Sequence, residues 1–580
     1  MKKQTLLLLI LITGFWGRIA AHDFWAVNSD GDTLYYKITS AVAPYTVDVT
    51  YKGNIYYEYD DEYIGDINIP STVSIHNITY SVTAIGREAF YGCDLVTSVH
   101  IPSSVITFKK FAFDACRILS SINIPESVET IEACVFEYCN LLSSIDIPGS
   151  VKTIGGGAFF GCLALDSVVL PNSVVEIGAQ IFGHCTNLRY VKLSDSLEVI
   201  SHFAFQDCSS LTSIVIPNSV RMIGESAFLR CTSLTSVSLP DSLRNIGTAA
   251  FSYCSALPSI EIPNTVFYLG DYAFQYCTSL TSMHIPDSVT LIDSYLFFHC
   301  TSLRSVTLPD SIFLIHSYAF GYCTALDSLI IPQPTQAIIS YAFDHCTSLK
   351  TITIPEHITV INEGVFQYCT ALDSVVMPEG ITAIKNKAFD HCSSLSSITL
   401  PAALGSIGNY AFMKCDSLSG VTIPANVTTI GDSAFALSGL QRLTLLPVIP
   451  PVIGEFPFRR VSDTIPVIVP CGSVPAYQGA DSWNHFIHIQ DTCGNSISEI
   501  SQNNSVILYP NPAMRYFTVE SKNLQINTIM LFDLTGKLRK SVDVKNSQAI
   551  IDISSCPRGM YLVRIITENG IINKKVLLVD

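Results

Sequence analysis

Phenylalanine recurs at every twenty-third position from Phe90 to Phe435 with no insertion or deletion, making sixteen copies over residues 82–449. Cysteine keeps the same step at fifteen positions from Cys93 to Cys415. Proline keeps it at Pro102, Pro125, Pro148 and Pro171 and again from Pro217 to Pro447, with Ser194 substituting once. A strict period this short rules out an ordinary globular domain, because a unit of this length cannot bury its own apolar face. Stacking each copy on the next buries it, and the interior becomes a set of continuous ladders.

One unit, VRMIGESAFLRCTSLTSVSLPDS from Val220, shows the parts. Val237-Ser238-Leu239 alternates and stops at Pro240, which has no N–H to donate to a ladder, so it reads as a short strand. Val220 to Ile223 is a second extended piece. Between them, apolar residues at spacings of three to four from Glu225 to Cys231 predict a helical or 3₁₀ turn. The expectation is a β-rich solenoid of sixteen coils.

The run I-P-x-S-V-x-x-I-G-x-x-A-F-x-x-C-x-x-L-x-S-I, seen from Ile216 to Leu234, resembles the leucine-rich repeat of the BspA-like bacterial surface antigens, also called the Treponema pallidum type. The resemblance implies a leucine-rich-repeat solenoid and adhesion to host matrix proteins, host cells or other bacteria. The ladder cysteines favour unpaired thiols. Equivalent Cβ atoms on adjacent coils lie ~4.8 Å apart along parallel vectors, whereas a disulfide wants ~3.8 Å.

Both ends carry addresses. Met1-Lys2-Lys3, the apolar run Leu6–Phe15 and the closing Ile19-Ala20-Ala21 predict a secretory leader over 1–21, cut near Ala21. Too few apolar residues follow one another for that leader to span a membrane, and no later segment is long and apolar enough. Residues 22–81 alternate like the strands of an N-terminal cap. Residues 450–495 break the period and resemble a C-terminal cap, with Cys471 and Cys493 flanking it as the disulfide candidate. A polar linker, 496–505, leads to residues 506–580, whose alternating segments predict a small Ig-like β-sandwich. Pro510, Asn511 and Pro512, Gly559 and Tyr561, and Lys574 in that segment resemble the type A sorting domain read by the type IX secretion machinery. That resemblance implies passage across the outer membrane of a Gram-negative bacterium, to its surface or the medium.

Catalytic motifs are absent: there is no H-E-x-x-H, G-x-S-x-G, Walker glycine loop or C-x-x-C. Asp30-Gly31-Asp32 lacks the remaining ligands of a calcium loop and reads as a turn. A net charge of −16 without a basic cluster disfavours nucleic acid and anionic membranes. Two slots stand out. Two residues before the core Phe lie Tyr272, Tyr295, Tyr318 and Tyr341; two residues after it lie Tyr276, His299, Tyr322 and His345. Because Tyr and His alternate in the second slot, it selects a flat polar ring and not a zinc ligand. Four apart, the slots would share one face of a helical turn and expose eight rings as a double stripe. Such a stripe suits protein or glycan contacts, or simply stiffens the coil edge. Asp-Ser-apolar triplets such as Asp241-Ser242-Leu243 and Asp287-Ser288-Val289 look like O-glycan acceptors and suit plain turns equally. The reading is an exported, non-enzymatic, cofactor-free binding protein acting through many weak contacts. Its rival is a structural envelope or spacer protein.

Overall fold

The computed structural model describes residues 21–53, 55–56, 62–492, 506–522, 524–568 and 570–579. The leader up to residue 20, the linker 496–505 and Cys493 lie outside the described residues. The chain forms two compact units, residues 1–466 with 485–488, and residues 467–484 with 489–580. The first is a β-solenoid; the repeat architecture makes about 18 turns with almost no helix.

Nearly every coil carries a strand of two residues, and half of the sixteen carry one of three. Met222–Ile223 pairs in parallel with Val199–Ile200 on one side and Asn245–Ile246 on the other. Ser213–Val215 pairs with Ser236–Ser238. The offset of every one of these pairings is a single repeat, so like meets like. Period-two alternation then decides burial: Ile214 points inward between exposed Ser213 and Val215.

The predicted helical turn does not form. Among the described residues the only helix is Val474–Gly479, outside the array. From Ser226 to Cys231 the backbone N–H groups alternate in destination. Those of Ser226, Phe228 and Arg230 donate to the next coil at Thr248, Ala250 and Ser252 (2.8, 2.8 and 2.9 Å). Those of Ala227, Leu229 and Cys231 turn back three residues. Ser226 and Arg230 sit at left-handed φ of 53° and 60°, which aims their N–H groups out of the coil. The three-to-four apolar spacing is therefore made by turns that share hydrogen bonds with a neighbour, whereas a helix would keep them all to itself.

The Phe slot becomes a stack of rings running from Phe90 past Phe435 to Phe458, with centroids 5.0 to 5.9 Å apart. Tyr63 covers one end at 4.6 Å, and Phe486 meets the other edge-on at 5.4 Å. The register thus continues one coil beyond Ile449, where Val452–Ile453 pairs with Thr429–Ile430.

Beside the rings, the ladder cysteines are buried thiols with no disulfide between coils. From Cys116 to Cys415, each Sγ–H donates to the carbonyl of the Phe 26 residues earlier, at 3.0 to 3.2 Å. A small apolar side chain with one weak donor fits this slot, and Ala would leave that carbonyl without its thiol partner. Ser194, at the one coil lacking the ladder proline, donates to Val174 O at 2.6 Å. The hydroxyls of the Asp-Ser triplets turn inward as well: Ser242 donates to Val220 O and Ser311 to Val289 O, both at 2.7 Å.

Upstream, Phe24–Val27, Thr33–Ser40 and Thr46–Thr50 form an antiparallel meander. Asn28 Oδ1 accepts from the N–H groups of Asp30 and Asp32, so Asp30-Gly31-Asp32 is the first hairpin turn. Thr46–Thr50 then pairs in parallel with Ile78–Ile85, which hands the ladder to Thr107–Phe108. In the second unit, a three-stranded antiparallel sheet (Val506–Tyr509, Tyr516–Ser521, Gln548–Asp552) and a four-stranded one (Leu538–Asn546, Ile526–Asp533, Gly559–Thr567, Gly570–Leu578) share a core that includes Phe517, Leu531 and Val563.

Burial pushes the thiols of Cys185 and Cys277 up to about 12, so both stay protonated at neutral pH. We therefore expect the ladder cysteines to resist a thiolate-selective alkylating agent at pH 8 until the solenoid unfolds, and then to react together. Mass-spectrometric labelling of Cys185 in the native protein would contradict the ladder.

Candidate functional site

The eight predicted ring residues lie at the surface of the array, but they meet in an unforeseen way. Each sits at left-handed φ, between 54° and 63°. Each ring stacks on its counterpart in the next coil, and not on the ring four positions away. Tyr272, Tyr295, Tyr318 and Tyr341 form one column with centroids 4.9 Å apart and planes within 13°. Tyr276, His299, Tyr322 and His345 belong to a second, longer column that runs from Tyr253 through Tyr368 to His391, with centroids 4.1 to 4.5 Å apart. The Arg230 guanidinium covers the Tyr253 face at 5.7 Å. The rings are half-buried, their faces given to one another and their edges to solvent.

Glycine makes room wherever a ring would collide with the next coil. A Cβ on Gly364 would lie 2.2 Å from Tyr341 Cε1, and one on Gly161 2.7 Å from Tyr138 Cδ1. Phe298 lies between the columns, edge-on to Tyr295 at 5.1 Å and to His299 at 4.6 Å. A Cβ on Gly321 would come within 2.9 Å of it. In each case the glycine follows its aromatic by one repeat, a pairing visible in the sequence once the period is known.

Burial and hydrogen bonding shift individual groups along the columns. Burial and the neighbouring His345 hold His299 below the usual imidazole range. Burial, with the hydrogen bond from Tyr341 to Glu363 (2.8 Å), raises the Tyr341 phenol. His345 and His391 bond Asp344 and Asp390 through Nδ1 at 2.8 and 2.7 Å. Burial raises both carboxyls despite these partners. Each pair joins sequence neighbours within one coil. Among the described residues, no three His, Cys, Asp or Glu side chains are placed to hold a metal.

In the second unit the sorting-motif residues gather on the last strand, Gly570–Leu578. The Asn511 side chain acts like a short strand on its open edge: Nδ2 donates to Lys575 O at 3.0 Å and Oδ1 accepts from Leu577 N at 2.8 Å. Pro510 and Pro512 flank Asn511 without N–H groups of their own. Ala513 N then donates to Leu577 O, and Ala513 O accepts from Val579 N. On the opposite edge, Gly559 pairs with Leu578, Tyr561 with Val576 and Val563 with Lys574. The Tyr561 hydroxyl donates to Pro557 O at 2.7 Å. Cys471 is disulfide-bonded, and Cys493, expected as its partner, lies outside the described residues.

One surface was not anticipated. Phe267, Tyr268 and Phe313 are exposed outside both columns. The slot of the two phenylalanines is polar in most coils, so no repeated motif marks it; the departure from the repeat was the available signal.

Fold and surface together define a repeat scaffold that displays side chains at coil intervals, with a separate β-domain bearing the motif at its C-terminal strand. Residues 68–461 match, in four overlapping segments, the BspA type Leucine rich repeat region, and residues 507–579 match the Secretion system C-terminal sorting domain. The chain belongs to the BspA-type leucine-rich repeat family. Solved structures similar to it include a leucine-rich repeat protein from Bacteroides ovatus (29% identity, 73% of this chain and 95% of that one, TM-score 0.49). A leucine rich cell surface protein from Faecalibacterium prausnitzii is 28% identical over 61% of this chain and 94% of that one, with a TM-score of 0.42. The T. pallidum leucine rich repeat protein is 26% identical over 41% and 88%, with a TM-score of 0.28. No curated protein matches the sequence. The sorting domain indicates export by type IX secretion, to the cell surface or the medium. No helix among the described residues is long and apolar enough to cross a membrane.

Gly364→Ala should lower stability by about 1–3 kcal/mol, from a left-handed φ of 60° and the collision with Tyr341. Thermal unfolding should show the loss, and Tyr341→Ala in the same chain should restore part of it. Asn511→Leu should speed hydrogen exchange at the amide of Leu577, read against Val563 in the sheet interior. Unchanged protection at Leu577 would remove the clasp role from Asn511.

Proposed function

We propose that this is an exported adhesion protein that binds proteins or glycans on host or bacterial surfaces through the turn edge of its array. The observation that carries the reading is the pair of ring columns. Over the coils from Tyr253 to His391 they present phenol hydroxyls and imidazole edges at one coil repeat, a surface on which weak, similar contacts add up. In this reading residues 22–81 and 450–495 cap the array, the latter closed by a Cys471–Cys493 disulfide, and residues 506–580 direct secretion. A second reading, a spacer without a ligand, draws on the same columns: each ring covers its neighbour's face, worth ~0.5–1.5 kcal/mol per pair in rigidity.

Full-length protein carrying Tyr→Phe at 272, 295, 318 and 341 keeps the stack and loses the hydroxyls. The matching Tyr→Ser variant loses both. Adhesion supposes that both variants bind immobilised matrix extract or bacterial cells at least tenfold more weakly, while the Phe variant melts like the parent. Intact binding by both would remove the columns from the binding surface, and no binding by the parent, with only the Ser variant melting earlier, would favour the spacer.

A further inference from the structure

Where the N-terminal meander meets the first coil, charged side chains line a cavity of about 260 Å³. Its floor is one face of the strand Thr46–Thr50. Val47 and Val49 point into the core, so alternation turns Asp48 and Thr50 to the other side, where they are 7% and 5% exposed. Glu88, 9% exposed, joins them from the first coil. Gly86 allows that close approach, since a Cβ there would lie 2.4 Å from Val49 O. Lys37, the register partner of Asp48, and Arg87 are exposed and Lys109 partly so, which places the three cations toward the opening.

The polar groups on this cavity leave a defined set unsatisfied. Lys109 donates to Asp48 Oδ2, and Arg87 donates to Glu88 Oε1 at 2.9 Å. Asp48 Oδ1, Glu88 Oε2 and the Thr50 hydroxyl have no hydrogen-bond partner among the described residues, although all three residues are more than nine-tenths buried. Burial raises the Asp48 carboxyl even though Lys109 and Lys37 act to lower it, and Glu132 adds to the rise. A buried oxygen without a donor costs free energy, so the floor calls for donors from outside. Lys37 has no ion-pair partner among the described residues.

We propose that this cavity receives the head of a small amino acid, its α-ammonium group against the floor and its carboxylate or carbonyl toward Lys37. An ammonium has three N–H donors and no acceptor, one donor for each open oxygen. A simple anion would face both carboxylates, and no three His, Cys, Asp or Glu side chains among the described residues are placed to hold a metal. The volume falls below the ~300–1,000 Å³ of pockets for drug-sized ligands, so a sugar chain is too large. Two sources can supply the same head. One is a free amino acid. The other is the chain's own N-terminus: Ala21 lines the cavity, its N–H donates to Gly53 O at 2.9 Å, and the leader is predicted to be cut near Ala21. The cavity shares no residue with the ring columns, so it stands or fails apart from the adhesion reading.

Isothermal titration with L-alanine, N-acetyl-L-alanine and acetate tests it on two forms of the whole chain, one beginning at His22 and one with three further residues in front. L-alanine should bind the extended form at least tenfold more tightly than either N-acetyl-L-alanine or acetate. Lys37→Gln and Thr50→Val should each weaken that binding at least fivefold. Neither should lower the melting temperature, because Lys37 is exposed and the Thr50 hydroxyl bonds nothing within the protein. A free amino acid as the source predicts equal binding by both forms. The chain's own N-terminus predicts binding by the extended form alone, with the form beginning at His22 melting higher. The proposal is overturned if neither form binds L-alanine, if N-acetyl-L-alanine or acetate binds as tightly, or if both substitutions leave binding intact.

Discussion

Each coil completes the hydrogen bonding of its neighbour, and the rest of the molecule depends on this. A coil this short and without a helix leaves alternate N–H groups, such as those of Ser226, Phe228 and Arg230, with no acceptor in their own turn. They are satisfied only if the next coil presents carbonyls at the same height, which requires equal coil length. That requirement explains why the coils keep one length, with a one-residue slip where Gly420–Ile423 pairs with Arg442–Leu445 at the end of the array: elsewhere an extra residue would shift donors against acceptors and orphan buried groups at a cost of ~1–3 kcal/mol each. The Phe stack and the thiol-to-carbonyl ladder follow from the same register, since equal coils put identical side chains in contact.

Register also governs what varies. A slot can change its residue only if the equivalent slots in the coils before and after it allow the change. Gly364 under Tyr341, and Gly321 under Phe298, show the constraint acting at the surface as it does in the core. The ring columns arise when several coils in a row choose flat side chains at a left-handed position, where the backbone already points them along the array.

The C-terminal unit uses a related device once. Its last strand has an open edge, and the side chain of Asn511 supplies the donor and acceptor that a further strand would have supplied, between two prolines that cannot. The motif residues are distant in sequence because both edges of one strand must be held, by segments on either side of it.

The sequence alone determined the solenoid, its register and its ladders, because a fixed period makes burial a property of the slot: Phe228 and Cys231 are interior for the same reason as their counterparts. It also marked the ring slots and the sorting motif. Tertiary structure decided which neighbours those rings choose. Spacing of four suggested a helical face, but apolar spacing is the same for a helix and for turns whose N–H groups leave the coil, and only the destination of those groups separates the two. The direction of the ring contacts and the clasp at Asn511 depend on what lies one coil or one strand away in space, which no local pattern records.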